Sequence, residues 1–277
     1  MGICGDAKMV SQQLLEKLSP TAGDSGREDR KNLIHQTKSS WLQTLTSLDH
    51  EDDDPGTVWN KEARERDKDR MSPRQAWRAI QAAMPEDAII SSDIGNNCAI
   101  GYAYPTFEKP RKYLAPGLFG PCGYGFPSIL GAKIGCPNTP VVGFAGDGAF
   151  GISMSEMTSC NREGWPNITM IIFRNYQWGA EKRNTTLWYD NNFIGTELDP
   201  KLSYAKIAEA CGFKGIKAHT QEELTEAIKL SCKEQMEGIT TFIEVMLNQE
   251  LGEPFRRDAM KTPVEVAGID PKDTVIQ

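Results

Sequence analysis

A chain of 277 residues, 39% of them hydrophobic, carries enough apolar material for one large domain plus extensions. Its formal net charge of −7 argues against nucleic acid or an anionic membrane as partner, and no apolar run approaches the ~20 residues of a membrane helix. Seven cysteines without a Cys-x-x-Cys pair, beside three scattered histidines, argue against a zinc centre. The odd cysteine count and the lack of a secretory leader point to the reducing cytoplasm.

Residues 1–19 begin with a strand end and turn, Gly2 to Lys8, followed by a short amphipathic helix. Val10, Leu14, Leu15 and Leu18 share one face of it. A lone βα piece cannot bury itself, so the expectation is that Met1 falls inside a domain whose other strands are missing. Residues 20–71 form a charged connector. Leu33, Thr37, Trp41, Leu45 and Leu48 recur at helical spacing until the acidic run Glu51–Asp54 and Pro55-Gly56 end the pattern. Residues 61–70 alternate in sign, the pattern of a solvated face. Trp41 and Trp59 read as packing anchors.

The folded domain, residues 72–250, opens at Ser72-Pro73, an N-cap followed by a favoured first helical residue. A helix over Arg74–Met84 leads to a strand over Ala88–Ser92 and then to Asp93-Ile94-Gly95-Asn96-Asn97. These last polar residues either serve the functional rim or satisfy a local turn. The stretch from Ala115 to Pro127 is rich in glycine and proline. Its Gly123-Tyr124-Gly125 lacks the third glycine and the leading strand of a dinucleotide loop. A helix over Phe126–Ile134 and a strand over Val141–Ala145 follow, delivering Gly146-Asp147-Gly148. Next come a helix over Ile152–Arg162, a strand over Ile168–Phe173, and a polar loop over 174–200. The remainder reads as a helix over Tyr204–Cys211, an edge strand over Gly215–Ala218, a helix over Gln221–Glu237 with Leu224, Ile228 and Cys232 inward, and a strand over Thr240–Leu247. Residues 251–277 form a C-terminal arm with Arg256, Arg257 and Lys261 around Phe255.

Two short apolar runs separated by a helical segment predict a βαβ unit with parallel strands, whose ligands lie beyond the strands' carboxyl ends. Asp147 and Asn175 then stand at one rim. Asp147 brings a carboxylate oxygen, Asn175 a neutral amide oxygen, and the carbonyl of Gln177 a third donor. With phosphate oxygens and water completing the shell, this set suits octahedral Mg²⁺. Gly146 and Gly148 allow close backbone approach to a phosphate, and the helix starting near Ile152 aims free N–H groups at it. In the 174–200 loop, Lys182 and Arg183 are candidates for binding anionic substrates; surface pairing with Glu181 or Asp190 is the plainer alternative.

Gly-Asp-Gly followed at this distance by a strand-closing Asn resembles the signature of thiamine diphosphate enzymes. The family usually carries Asn-Asn; here Arg174 stands in the first position and Asn175 matches the second, with no metal ligand lost. The words Gly-Asp-Gly-Ala-Phe-Gly-Ile-Ser-Met-Ser-Glu (146–156), Arg-Glu-Gly-Trp-Pro (162–166) and Phe-Arg-Asn-Tyr-Gln-Trp-Gly-Ala-Glu-Lys-Arg-Asn (173–184) narrow the likeness. They resemble the sulfoacetaldehyde acetyltransferases, relatives of acetolactate synthase, over the C-terminal half of such an enzyme. The resemblance implies an α/β fold: a parallel sheet flanked by helices, with a helical, charged N-terminal extension. It implies thiamine diphosphate held by Gly120, Cys122, Gly146, Asp147, Gly148, Ala149, Asn175, Gln177 and Gly179, and Mg²⁺ held by Asp147, Asn175 and Gln177. The 115–127 loop would cradle the aminopyrimidine ring, a carbonyl near Gly120 accepting from its amine and Cys122 supporting its bend. The reaction would turn sulfoacetaldehyde and phosphate into acetyl phosphate and sulfite, in sulfonate catabolism. No catalytic residue is assigned, because the activating glutamate would lie on an N-terminal, pyrimidine-binding half supplied by another chain; a homo-oligomer is expected. The alternatives are an acetolactate synthase-like carboligase or decarboxylase on a 2-oxo acid, and a non-catalytic remnant.

Overall fold

The structure is a computed structural model, described here for residues 4–18, 26–47, 65–107, 112–189 and 191–250. The C-terminal arm, Trp59 and the acidic run Glu51–Asp54 lie outside the described residues. The chain divides into two compact units, with the boundary after Asp52.

In the first unit, helix α1 spans Ala7–Lys17, three residues earlier than its apolar pattern. Asp6 caps it, its carboxylate accepting from the Met9 N–H at 3.0 Å. None of its residues is buried: Leu14 and Leu15 stand in solvent. Helix α2 spans Arg27–Ser47 and leaves Leu33, Ile34, Trp41 and Leu42 exposed, so Trp41 is not a packing anchor within this unit.

The second unit carries a six-stranded parallel sheet. Its strands are β1 (Ile89–Ser92), β2 (Tyr113–Leu114), β3 (Val141–Gly146), β4 (Thr169–Arg174), β5 (Lys214–Ala218) and β6 (Thr241–Met246), in the order β2-β1-β3-β4-β6-β5. The central strands are buried on both faces because helices cover both. Neighbouring residues of one strand enter opposite cores, as the period of two demands. Val142, Phe144, Ile171, Phe173, Ile243 and Val245 pack with α3 (Pro73–Ala83) and α10 (Gln221–Met236). Val141, Ala145, Met170, Ile172 and Phe242 pack with α5 (Gly125–Gly135), α6 (Asp147–Ser153) and α9 (Tyr204–Ala210).

Helix α3 starts where Ser72-Pro73 directs. The Ser72 hydroxyl accepts from Gln75 N–H, and the Gln75 side chain accepts from Ser72 N–H, closing a capping box. Gln235 of α10 ties β3 to β4, accepting from Val141 N–H at 2.9 Å while donating to the Val141 carbonyl and Thr169.

Two expected elements differ. The helix after the Gly-Asp-Gly turn begins at Asp147, not near Ile152, and ends at Ser153; a 3-10 turn (Met154–Glu156) and the single helical turn α7 (Met157–Cys160) follow it. A helix can start inside Gly-Asp-Gly because Gly146 is still extended at ψ 157° and acts as the N-cap residue. The polar stretch after Asn175 is not one loop: Gly179–Trp188 forms helix α8. Ala180, Glu181, Lys182 and Arg183 are sound helix formers, and their polarity reflects a surface helix rather than irregular backbone.

The chain leaves β1 toward the sheet edge at β2 and returns on the other side of β1 to form β3. That reversal opens a crevice between the carboxyl ends of β1 and β3, the usual ligand position in an open α/β sheet.

Candidate active site

Three segments meet at this crevice. After β1 come Ile94 to Cys98, the last three of them in the short helix α4 (Asn96–Ile100). Gly146, Gly148 and Ala149 come from the end of β3 and the start of α6; Asn175, Gln177 and Trp178 to Glu181 come from beyond β4. Cys122 closes the cleft from the glycine-rich loop.

The β3–β4 register, Gly146 opposite Phe173, brings the two critical strand ends side by side. Asp147 is fully buried beneath the cleft lining. Its Oδ2 accepts from Arg174 Nη1 at 2.8 Å and from the Tyr176 N–H at 2.7 Å; its Oδ1 accepts from the Gly148 N–H at 3.0 Å. Asn175 sits between those two donors, buried and lining the cleft. Burial pushes the Asp147 carboxyl up to about 6, while Arg174 and the two N–H groups pull the other way.

Asp93, also fully buried, answers the ambiguity at 93–97. Its Oδ1 accepts from the Ile94 and Gly123 N–H groups, and its Oδ2 from the Gly125 N–H at 2.6 Å. It fastens the glycine-rich loop to the end of β1. Burial raises its carboxyl above the ordinary 3.8, against these N–H donors. Gly123 holds φ +87°, and a Cβ on Gly125 would lie 2.7 Å from the Phe144 carbonyl, so the loop needs glycine at both places.

Asn96 and Asn97 line the cleft. Among the described residues, neither the Asn96 amide nitrogen nor its oxygen, nor the Asn97 side-chain oxygen, has a hydrogen-bond partner, though both residues are buried against the cleft. The Gln177 side-chain oxygen is likewise without a partner among the described residues, its nitrogen donating to the Gln249 carbonyl at 2.9 Å. Buried polar atoms without partners are costly unless a ligand supplies them. A Cβ on Gly146 would meet nothing within 4 Å, so ligand atoms have room beside that backbone. A Cβ on Gly148 would lie 2.8 Å from the ring of Trp178, another residue of the cleft lining. These features fit a diphosphate. Among the described residues no cluster of three His, Cys, Asp or Glu side chains is present. Asp147, Asn175 and Gln177 would offer a divalent ion at this crevice one carboxylate with amide and carbonyl oxygens.

Of the expected cofactor residues, Cys122, Gly146, Gly148, Ala149, Asn175, Gln177 and Gly179 line the cleft. Gly120 stands back from it, at φ +62° with Ile94 3.7 Å from its would-be Cβ. Burial raises the Cys122 thiol, so it stays protonated as a small apolar group. Lys182 and Arg183 lie on α8. Lys182 is buried and ion-paired with Glu197 rather than Glu181, and its ammonium lies 5.2 Å from the Phe193 ring centroid. Glu181 lines the cleft, while Glu156 is exposed on the 3-10 turn.

Sequence reasoning missed Arg174 as a structural partner, treating it only as a departure that spares the metal set. An Arg closing an apolar strand between buried neighbours demands an anion, and Asp147 directly follows the adjacent strand. That demand was the available signal.

The crevice at a strand-order reversal, with its buried carboxylate and unpaired amides, defines a cofactor-binding α/β domain. Residues 93–245, more than half of the chain, match the family described as thiamine pyrophosphate enzyme, C-terminal TPP binding domain, and the chain belongs to that family. Within it, the chain is similar to the probable sulfoacetaldehyde acetyltransferase of Rhizobium meliloti (strain 1021). The two are 74% identical over 273 residues, 99% of this chain and 46% of the relative. It is 67% identical to the sulfoacetaldehyde acetyltransferase of Roseovarius nubinhibens over 99% of this chain and 45% of that protein. Identity to the acetolactate synthase large subunit of Buchnera aphidicola subsp. Schizaphis graminum is 24%, over 89% of this chain and 40% of that protein. The chain thus spans about half the length of the relatives it matches. A solved structure, the thiamine diphosphate-dependent 4-hydroxybenzoylformate decarboxylase of Rhodococcus jostii RHA1, shares the fold. Its TM-score is 0.59 at 24% identity, over 65% of this chain and 33% of that one.

Proposed function

We propose that this chain is the diphosphate-binding part of a sulfoacetaldehyde acetyltransferase, which converts sulfoacetaldehyde and phosphate into acetyl phosphate and sulfite. The observation that carries the reading is the 74% identity over 273 residues, which includes the whole crevice. The gap between that value and the 24% shared with an acetolactate synthase favours the sulfonated aldehyde over a 2-oxo acid.

In this reading Asp147, Asn175 and the Gln177 carbonyl hold Mg²⁺. Gly146, Gly148, Ala149 and Gly179 let the diphosphate approach, and the Asn96 amide nitrogen, without a partner among the described residues, donates a hydrogen bond to it. Gly120 and Cys122 belong to the loop under the aminopyrimidine ring. When bound, thiamine diphosphate would supply the carbon nucleophile and the electrons that expel sulfite from the carbon next to the aldehyde carbon. The chain's own contribution is to hold, orient and desolvate. Asp93 fixes the glycine-rich loop, and Trp178 fills the space beside Gly148. Lys182 and Arg183 are the two cationic candidates for sulfonate or phosphate, Lys182 being ion-paired with Glu197. The acid that activates the coenzyme is assigned to an N-terminal, pyrimidine-binding half on the same or another chain, in a cytoplasmic homo-oligomer. Among the described residues no helix is long and apolar enough to cross a membrane.

The test is co-expression of this chain with the N-terminal part of the Rhizobium meliloti relative. The complex is then assayed with Mg²⁺, thiamine diphosphate and phosphate. Sulfite release from sulfoacetaldehyde is expected; acetolactate formation from pyruvate without sulfite release would move the assignment to the carboligase. Failure to bind thiamine diphosphate at all would favour a non-catalytic remnant.

A further inference from the structure

We infer that Arg174 is a positioning residue that presets the metal loop: it fixes one carboxylate oxygen of Asp147 and the left-handed turn at Tyr176, leaving the other oxygen turned to the ion. The inference rests on the reading of Asp147 and Asn175 as metal donors, and concerns how they are held in place.

Arg174 ends β4 and is fully buried. Nη1 donates to Asp147 Oδ2, and Nη2 donates to the carbonyls of Asp199 and Leu202. Nε lies 3.7 Å from Glu244 Oε1, a buried carboxylate on β6 whose other oxygen accepts from Ser203 and the Ala205 N–H. No sulfonate or phosphate reaches such a group, so Arg174 does not bind substrate.

A carboxylate oxygen has about two acceptor sites. Arg174 and the Tyr176 N–H fill both on Oδ2, whereas Oδ1 holds only the Gly148 N–H. Oδ1 therefore keeps an acceptor site for a cation. Tyr176 sits at φ +61°, a backbone conformation that side chains other than glycine rarely adopt. The Arg174 guanidinium lies 4.0 Å from its ring centroid and that of Arg70 4.6 Å. The same guanidinium thus grips the carboxylate and packs on the residue after Asn175. A lysine offers one point charge and no planar fork, so it cannot reproduce both contacts.

The test uses the full chain and three variants: Arg174→Lys, Arg174→Met/Glu244→Gln and Arg70→Gln. Of the two buried carboxylates beside Arg174, the double variant neutralises Glu244 and keeps Asp147, the proposed metal donor. Ligand-free melting and amide exchange are measured, then calorimetric titration with Mn²⁺ and Mg²⁺ at saturating thiamine diphosphate. Expected for Arg174→Lys and the double variant is a metal Kd weakened at least tenfold, with exchange at residues 175–178 accelerated at least tenfold. Exchange over 241–246 stays as in the wild type. For Arg70→Gln a smaller change of the same kind is expected. A folded double variant with wild-type metal affinity and wild-type exchange at 175–178 would overturn the inference. So would exchange that rises equally along the chain. A wild-type chain that binds neither metal nor coenzyme would instead remove the site reading beneath it.

Discussion

Asp147 and Asp93 are both fully buried carboxylates, and their surroundings set them different tasks. Asp147 keeps an acceptor site on Oδ1, so its replacement should show in binding. Asp147→Asn is expected to weaken Mg²⁺-dependent binding of thiamine diphosphate by at least the ~1.5–3 kcal/mol of a charge-assisted contact, about 10- to 100-fold in Kd, read by calorimetry. Asp93 has two N–H groups on one oxygen and one on the other. In Asp93→Asn one acceptor becomes an amide donor, leaving an N–H without a partner. The expected loss is ~1–3 kcal/mol in urea unfolding. The pH dependence follows from its raised carboxyl. Above the ordinary 3.8 and up to the raised value, the native state holds the proton that the unfolded chain has released. The stability this group contributes is therefore complete below the ordinary value and is lost as pH rises through the native one. The stability gap between wild type and Asp93→Asn should widen as pH falls from 7 toward 4; a constant gap would contradict the raised value.

At the scale of elements, α3 links the core to the site through one residue. Trp77 packs on Phe144 and Phe173, the ring centroids 4.8 and 5.4 Å away, and its indole N–H donates to the Asn97 carbonyl at 2.7 Å. Trp77→Ala should cost ~3–5 kcal/mol of stability, whereas Trp77→Phe should cost less and act mainly on the Asn96–Asn97 segment, visible as faster amide exchange there. The small residue opposite is required: a Cβ on Gly101 would lie 2.1 Å from the Trp77 ring. Five of the six strands and most helices of the sheet domain were legible from apolar runs and from the Ser72 cap, the two-residue β2 and the short α4 excepted, because burial and N-terminal hydrogen bonding act through neighbouring residues. The start of α6 and the existence of α8 were not. Glycines normally end helices, yet Gly148 sits inside α6 with Trp178 against it, a partner 30 positions away that local pattern cannot reveal.

At the scale of the whole molecule, the crevice lies where the sheet reverses its strand order, and the chain covers 46% of the Rhizobium meliloti relative. The purified chain is expected to bind thiamine diphosphate with Mg²⁺ yet form negligible acetyl phosphate until an N-terminal half is added. Substantial turnover by the chain alone would show that no second half is needed.

The spacing from Asp147 to Asn175, the apolar runs before each, and the glycines around them already implied parallel strands ending at one rim with an anion and metal site. Those inferences needed only local patterning and the chemistry of oxygen donors. What the tertiary structure alone decided was partnership: Arg174 on Asp147, Asp93 under the glycine-rich loop, Lys182 on Glu197, and the Asn96 amide and Asn97 side-chain oxygen without partners among the described residues. A buried charge takes whichever opposite group the fold brings beside it, and that choice is made by strand register and loop course, across separations in sequence that no local pattern encodes.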